Sequence, residues 1–158
     1  MRLSIRKVKR FLEFLAYRGF DALVLAGCKP TPEDERAAIV NLELLGDYVL
    51  WLPYGRALVR YQLDQGRQVI LVLNAVVAPL AERHFPECLV VAVDRRRFVR
   101  DWRGRRHALH MLRTLRAGVT YNVSYPRDTI IEDAVMSALG TAAWGFDAVF
   151  PDRHWMAR

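Results

Sequence analysis

The chain has 158 residues, 53% apolar and 26% charged, which suits one globular domain with a sizeable core and excludes a disordered or fibrous protein. Its formal charge of +7, carried by arginine far more than by lysine, suits acidic partners such as phosphorylated lipids, nucleotides or nucleic acid without choosing among them. No run approaches the roughly 18 to 20 apolar residues of a membrane-spanning helix. Two cysteines, Cys28 and Cys88, build neither a zinc knuckle nor a disulfide framework, so reduced core thiols in a cytosolic protein are expected.

From Leu3 to Tyr17 the apolar residues Ile5, Val8, Phe11, Leu12 and Leu15 recur at helical spacing, with Arg2, Arg6, Lys7, Lys9 and Arg10 on the other face. Such a basic amphipathic helix either meets an anionic membrane surface or packs on the domain with its basic face solvated. Gly19 fits a helix C-cap, and Asp21 to Ala26 reads as a short strand or buried segment. Leu25-Ala26-Gly27-Cys28 has the form of a lipoprotein cleavage box, but Glu13, Arg18 and Asp21 interrupt the apolar region before it, so export is not expected and Cys28 is read as buried. Lys29 to Asp34 is a turn or linker.

Ala37 to Leu42 has strand length and runs through Leu44-Leu45-Gly46-Asp47 into a helix over Tyr48 to Gln65, which Pro53 should kink or delay and Gly66 should end. Gln68 to Asn74 reads as a central parallel strand, Val76 to Phe85 as a helix closed by Pro86, and Cys88 to Val93 as a third strand. Arg97 to Arg116 reads as one long helix with Phe98, Trp102, Leu109, Leu112 and Leu115 on one side, broken by Gly118. A strand over Val119 to Val123, a loop over Ser124 to Asp128, a helix over Thr129 to Leu139 and a strand over Ala142 to Phe146 complete the chain. This alternation predicts an α/β fold with a doubly wound, mainly parallel sheet preceded by the amphipathic helix.

A carboxylate that follows a strand through a turn stands at the C-terminal edge of a parallel sheet, where open α/β sheets keep their ligands. Asp47 is therefore the leading candidate for a general base at that edge; it is equally the expected N-cap of its helix. Gly46 is then the turn residue or leaves room for a substrate. Arg127, with Ser124, Tyr125 and Asp128, follows the fourth strand to the same edge and either grips a phosphate or carboxylate or pairs with Asp128. Arg95, Arg96, Arg97, Arg100, Arg103, Arg105 and Arg106 read as a solvated helix face. Nucleic acid is not expected as a partner, because Phe98 and Trp102, the aromatics among them, lie on the buried side. His107 and His110 lack further ligands at metal spacing and read as surface residues, while Trp51, Trp102 and Trp144 read as core. No G-x-G-x-x-G or G-x-x-x-x-G-K-[ST] loop is present, so no cofactor of those kinds is expected.

Leu45 to Pro53 (LGDYVLWLP), Val93 to Phe98 (VDRRRF), Tyr125-Pro126-Arg127 and Gly145-Phe146-Asp147, in that order and spacing, resemble the N-terminal half of glycosyltransferase family 9, the ADP-heptose:lipopolysaccharide heptosyltransferases. The resemblance covers roughly Ala38 to Asp147 and departs from the family in Asn41, Trp144 and Ala148-Val149. It implies the acceptor-side Rossmann-like half of a GT-B glycosyltransferase over 37–150, with an amphipathic helix and linker at 1–36 and, at 151–158, the start of a link to a donor-binding half. It further implies inverting transfer from a nucleotide-sugar to a lipopolysaccharide-core or similar glycan, with Asp47 as catalytic base and Gly46, Ser124, Tyr125 and Arg127 at the acceptor. The nucleotide-sugar donor is expected to bind a C-terminal half or partner subunit, so that 1–158 alone is expected to be inactive. The alternative is a non-enzymatic module that binds an anionic lipid or glycan. The expected location is the cytoplasm, peripheral on the inner membrane, and a face left for the second half to dock is expected to be apolar.

Overall fold

A computed structural model describes residues 5–27, 31–124, 129–140 and 142–145. Five strands, β1 (Glu33–Asn41), β2 (Gln68–Asn74), β3 (Leu89–Val93), β4 (Ala117–Asn122) and β5 (Ala142–Gly145), form one sheet in the order β3-β2-β1-β4-β5 with every pairing parallel. The helices are α1 (Ile5–Leu25), α2 (Leu45–Asp64), α3 (Ala78–His84), α4 (Arg95–Arg100), α5 (Trp102–Arg113) and α6 (Glu132–Leu139). Strands buried on both faces carry near-continuous apolar runs, as in the AAIV of β1 and the VILVL of β2. Side chains alternate across the sheet. Ile39, Leu71 and Leu73 therefore meet Tyr48, Val59, Val77, Ala81 and Phe85 from α2, α3 and the connections around them. Ala38, Val40, Ile70 and Val72 meet Phe98, Leu109, Leu112, Val135 and Leu139 from α4, α5 and α6 on the other face. Helices thus cover both faces of a parallel sheet, a Rossmann-like doubly wound fold.

The chain winds outward from β1 through β2 to β3, then crosses back to lay β4 on the opposite side of β1. The C-terminal ends of β1 and β4 consequently lead to helices on opposite faces. This is the topological switch point at which open α/β sheets bind ligands.

Several local expectations need correction. α1 does not stop at Gly19 or give way to a strand over Asp21 to Ala26: it continues to Leu25. Tyr17, Phe20, Asp21 and Val24 follow a helical spacing, and tertiary contacts with α5 made through that stripe outweigh the glycine. β1 begins at Glu33, inside the expected linker, because the Glu33 N–H donates to the Arg116 carbonyl at 2.8 Å. α2 starts at Leu45 without delay and runs through Pro53, which lies on the exposed side where water can meet the carbonyl it leaves unbonded. Gly66 ends it as expected, at φ 74°.

The long arginine-rich helix is two helices. Asp101 takes extended angles between them and accepts a hydrogen bond from the Arg103 N–H at 2.9 Å, while Asp94 accepts one from the Arg97 N–H at 2.9 Å. Each aspartate caps a helix start and so fixes the break. Gly118 lies inside β4, and Arg116, at φ 52°, makes the preceding turn. The tryptophans are not core: Trp51 is half-buried, Trp102 is 45% exposed against Tyr17 and Phe20, and Trp144 on the edge strand β5 is 66% exposed. His107 and His110 are exposed, as read from the sequence.

Arg105 overturns the reading of its segment as a wholly solvated face. It is fully buried, donating to both carboxylate oxygens of Asp21 at 2.6 Å and to the Ile130 carbonyl at 2.8 Å, with its guanidinium over the rings of Tyr17 and Phe98. A bidentate, fully hydrogen-bonded guanidinium is the form in which a charge is tolerated inside a protein. It fastens α1 to the α5 face of the sheet.

Candidate functional site

Three parallel strands end in asparagine. Asn41, Asn74 and Asn122, all buried, close β1, β2 and β4, and each side-chain oxygen accepts from the backbone N–H two residues on, those of Glu43, Val76 and Ser124. This local bond turns the chain sharply out of the sheet. The same device on three strands shapes the C-terminal edge, and the sequence reading missed it. The available signal was an asparagine closing each apolar run.

Between these turns the backbone of Leu42 is held from several sides. Its N–H donates to Ser124 Oγ at 3.3 Å, and its carbonyl accepts from Asn74 Nδ2 at 3.3 Å and from Arg95 Nη1 at 3.2 Å. Arg95 also lies 3.5 Å from the fully buried Glu132 at the start of α6 and 3.9 Å from Glu43. One arginine therefore ties the loop after β1 to α6 across the switch point while keeping 30% of its side chain exposed. The Nδ2 of Asn122 is buried without a hydrogen-bond partner among the described residues. A lost partner for such a donor costs about 1–3 kcal/mol. The amide stands where β5 comes close, since a Cβ on Gly145 would lie 2.9 Å from the Asn122 carbonyl oxygen.

Asp47 is the third residue of α2, one short loop beyond β1, and is exposed. It is not the N-cap: Leu44 holds that position and makes no side-chain cap bond. Among the described residues the Asp47 carboxylate has no hydrogen bond or ion pair, and the positive end of a 20-residue helix favours a negative group there. Gly46 is likewise helical rather than a special turn, with open space where a Cβ would stand. Leu44 and Leu45, 61% and 49% exposed, give this mouth an apolar lip. Ser124 lies at the same edge but is buried and engaged with Leu42, so its hydroxyl holds the loop. Tyr125, Arg127 and Asp128 lie outside the described residues, as does Cys28.

Two other titratable groups on the α2 face of the sheet are chemically quiet. Tyr48 is buried with its hydroxyl 3.2 Å from His84 Nδ1, and burial pushes its phenol up. Burial, with Glu87 beside it, pushes the Cys88 thiol up to about 12, so it is no nucleophile at neutral pH. Among the described residues no group of three His, Cys, Asp or Glu is placed to hold a metal ion, and no helix is long and apolar enough to cross a membrane. A cleft of about 480 Å³ lies away from the switch point, between α1 and the ends of α5 and α6, lined among others by Arg18, Arg113, Ser137 and Gly140.

The arrangement sets an exposed carboxylate, Asp47, beyond β1, and a buried amide donor on Asn122 without a partner among the described residues, beside loops held by Arg95 and Ser124. Compared with protein-family models, with curated proteins and with solved structures, the chain matches none.

Proposed function

We propose that this chain is the acceptor-binding part of an inverting glycosyltransferase of heptosyltransferase type, with Asp47 as the base that takes the proton from the acceptor hydroxyl. The observation that carries the reading is the position of Asp47: an exposed carboxylate, without a partner among the described residues, in the first turn of the helix that leaves β1 at the switch point. A base must be unencumbered and within hydrogen-bond reach of the proton it removes. The apolar lip of Leu44 and Leu45 suits the face of a sugar ring, and the order of motifs from Leu45 to Asp147 supports the same family. The nucleotide-sugar donor, on this reading, binds a second α/β unit.

The test is sugar transfer to a lipopolysaccharide-core oligosaccharide by this chain combined with a donor-binding half. Asp47→Asn, on the helix surface, should leave folding intact and lower kcat by about 10²- to 10⁴-fold, the usual worth of a positioned base. An unchanged rate in a transfer-competent assembly contradicts the assignment of Asp47. Glycan binding that Asp47→Asn leaves untouched, in an assembly that never transfers sugar, favours a non-enzymatic binding module.

A further inference from the structure

Successive contacts fix the way α1 lies on the body. The hydroxyl of Tyr17 donates to the Val99 carbonyl at 2.7 Å and its ring meets Trp102, Asp21 holds Arg105, and the Gly27 carbonyl accepts from Arg113 Nη2 at 2.7 Å. Both sets of residues increase together, so α1 runs in the same direction as α5, which leads into the N-terminal end of β4. Earlier residues of α1 accordingly lie further toward the C-terminal edge of the sheet. From Ile5 to Tyr17 the helix reaches about 18 Å at 1.5 Å per residue, an overhang on the side where the switch point opens.

The overhang carries an apolar stripe turned away from the domain. Val8, Phe11, Leu12 and Leu15 are 43%, 44%, 58% and 47% exposed, and Leu23, 79% exposed, continues the stripe. At about 100° per residue this stripe lies roughly half a turn around the helix from Tyr17, Phe20, Asp21 and Val24, which face the body. No settling of α1 onto its own domain covers it. The same stretch, Met1 to Leu15, holds Arg2, Arg6, Lys7, Lys9 and Arg10 against the single acid Glu13. Lys9 keeps 77% of its side chain exposed, 3.9 Å from Glu13. A second copy of the chain on this face would bring two such cationic segments together, whereas anionic headgroups complement them.

We propose that the N-terminal half of α1 is an interfacial helix for an anionic lipid bilayer, seating Val8, Phe11, Leu12 and Leu15 at the acyl boundary and its lysines and arginines among the headgroups. Phe and Leu on one face with a basic remainder is the composition of helices that lie in that interface. The Asp21–Arg105 pair and the Tyr17 contacts then hold the body against the seated helix. The inference rests on the helix and its charge and stands independently of sugar transfer.

Flotation of the full chain with vesicles tests it in the absence of any glycan. The chain should float with equal parts phosphatidylglycerol and phosphatidylcholine, stay behind with phosphatidylcholine alone, and be released by salt. Phe11→Ser with Leu12→Ser should weaken binding by about tenfold or more, from the apolar area withdrawn. Lys9→Glu should weaken it by about fivefold or more, the worth of a basic residue near an anionic surface. These positions are exposed, so circular dichroism and Tm should match the parent chain. Absence of flotation with the anionic vesicles, or equal flotation of parent and variants, overturns the proposal. So does a dimer in solution that Phe11→Ser with Leu12→Ser dissociates, because the stripe then belongs to a second copy.

Discussion

Two arginine–carboxylate pairs hold distant parts of this fold together, and they are built for different work. At the junction of α1 and α5, Arg105 meets Asp21 through two 2.6 Å bonds, buried, with the guanidinium between aromatic rings. At the C-terminal edge of the sheet, Arg95 stands 3.5 Å from Glu132 and 3.9 Å from Glu43 while remaining partly in solvent. The first pair is a staple, short and shared with the Ile130 carbonyl. The second is a looser bracket that spans the switch point and lets the loops after β1 and before α6 be positioned without being sealed. The staple reaches the Ile130 carbonyl just before α6, and the bracket reaches Glu132 two residues on.

The comparison is broken most severely at the staple. Asp21→Ala or Arg105→Ala leaves the other charge buried, and unfolding by urea should show a loss of about 3–5 kcal/mol. Replacing both by leucine should recover much of that loss, because the desolvation cost of both ions disappears with them. Losses that simply add in the double variant would contradict the pairing. At the bracket, Glu132→Gln keeps the shape and weakens one charge-assisted contact to an arginine that retains Glu43 and the Leu42 carbonyl, so the same measurement should give about 1–3 kcal/mol. A loss as large as that of the staple would erase the distinction.

The glycines sharpen it further. Gly145→Ala places a Cβ 2.9 Å from the Asn122 carbonyl oxygen and should lower stability by about 1–3 kcal/mol through overpacking at the edge. Gly46→Ala meets open space in a helix and should raise it by about 0.5–1 kcal/mol, visible as a higher Tm. The smallest effect belongs to Asp101, whose carboxyl is held below the usual range by the Gly104 N–H first and then by Arg97 and the Arg103 N–H. A depressed folded-state value contributes stability that is fully present above the unfolded value, about 3.8, and is lost as pH falls below it. The stability gap between parent and Asp101→Asn should therefore be constant near neutrality and close only in acid.

Most of the sheet was legible because β2 and β3 carry unbroken apolar runs set between turn residues, a pattern that a parallel strand shares with few other structures. The longer α1 was not, because Gly19 and Asp21 argue locally for an end, while what keeps the helix going is an arginine 84 residues away. A trace was present even so. Phe98, Trp102, Arg105, Leu109 and Leu112 follow one helical stripe, and an arginine on an apolar stripe asks for a buried partner. The position of Asp47 beyond the first strand was legible from strand length and turn composition. Its place as third residue rather than cap was not, because Leu44 is a poor cap by composition and yields only to the geometry of the loop held by Asn41. The polar frame around Leu42 joins residues from Leu42 to Glu132, a juxtaposition that only the crossing from β3 to β4 creates.

The most direct test of the central claim, that the switch point beyond the C-terminal ends of β1 and β4 receives a glycan acceptor, is amide NMR of the full chain titrated with a lipopolysaccharide-core oligosaccharide. The account predicts saturable shifts at Gly46, Asp47 and Ser124 with Ser137 and Gly140, in the cleft beside α6, unmoved. Shifts confined to that cleft, or none at the switch point, would contradict it.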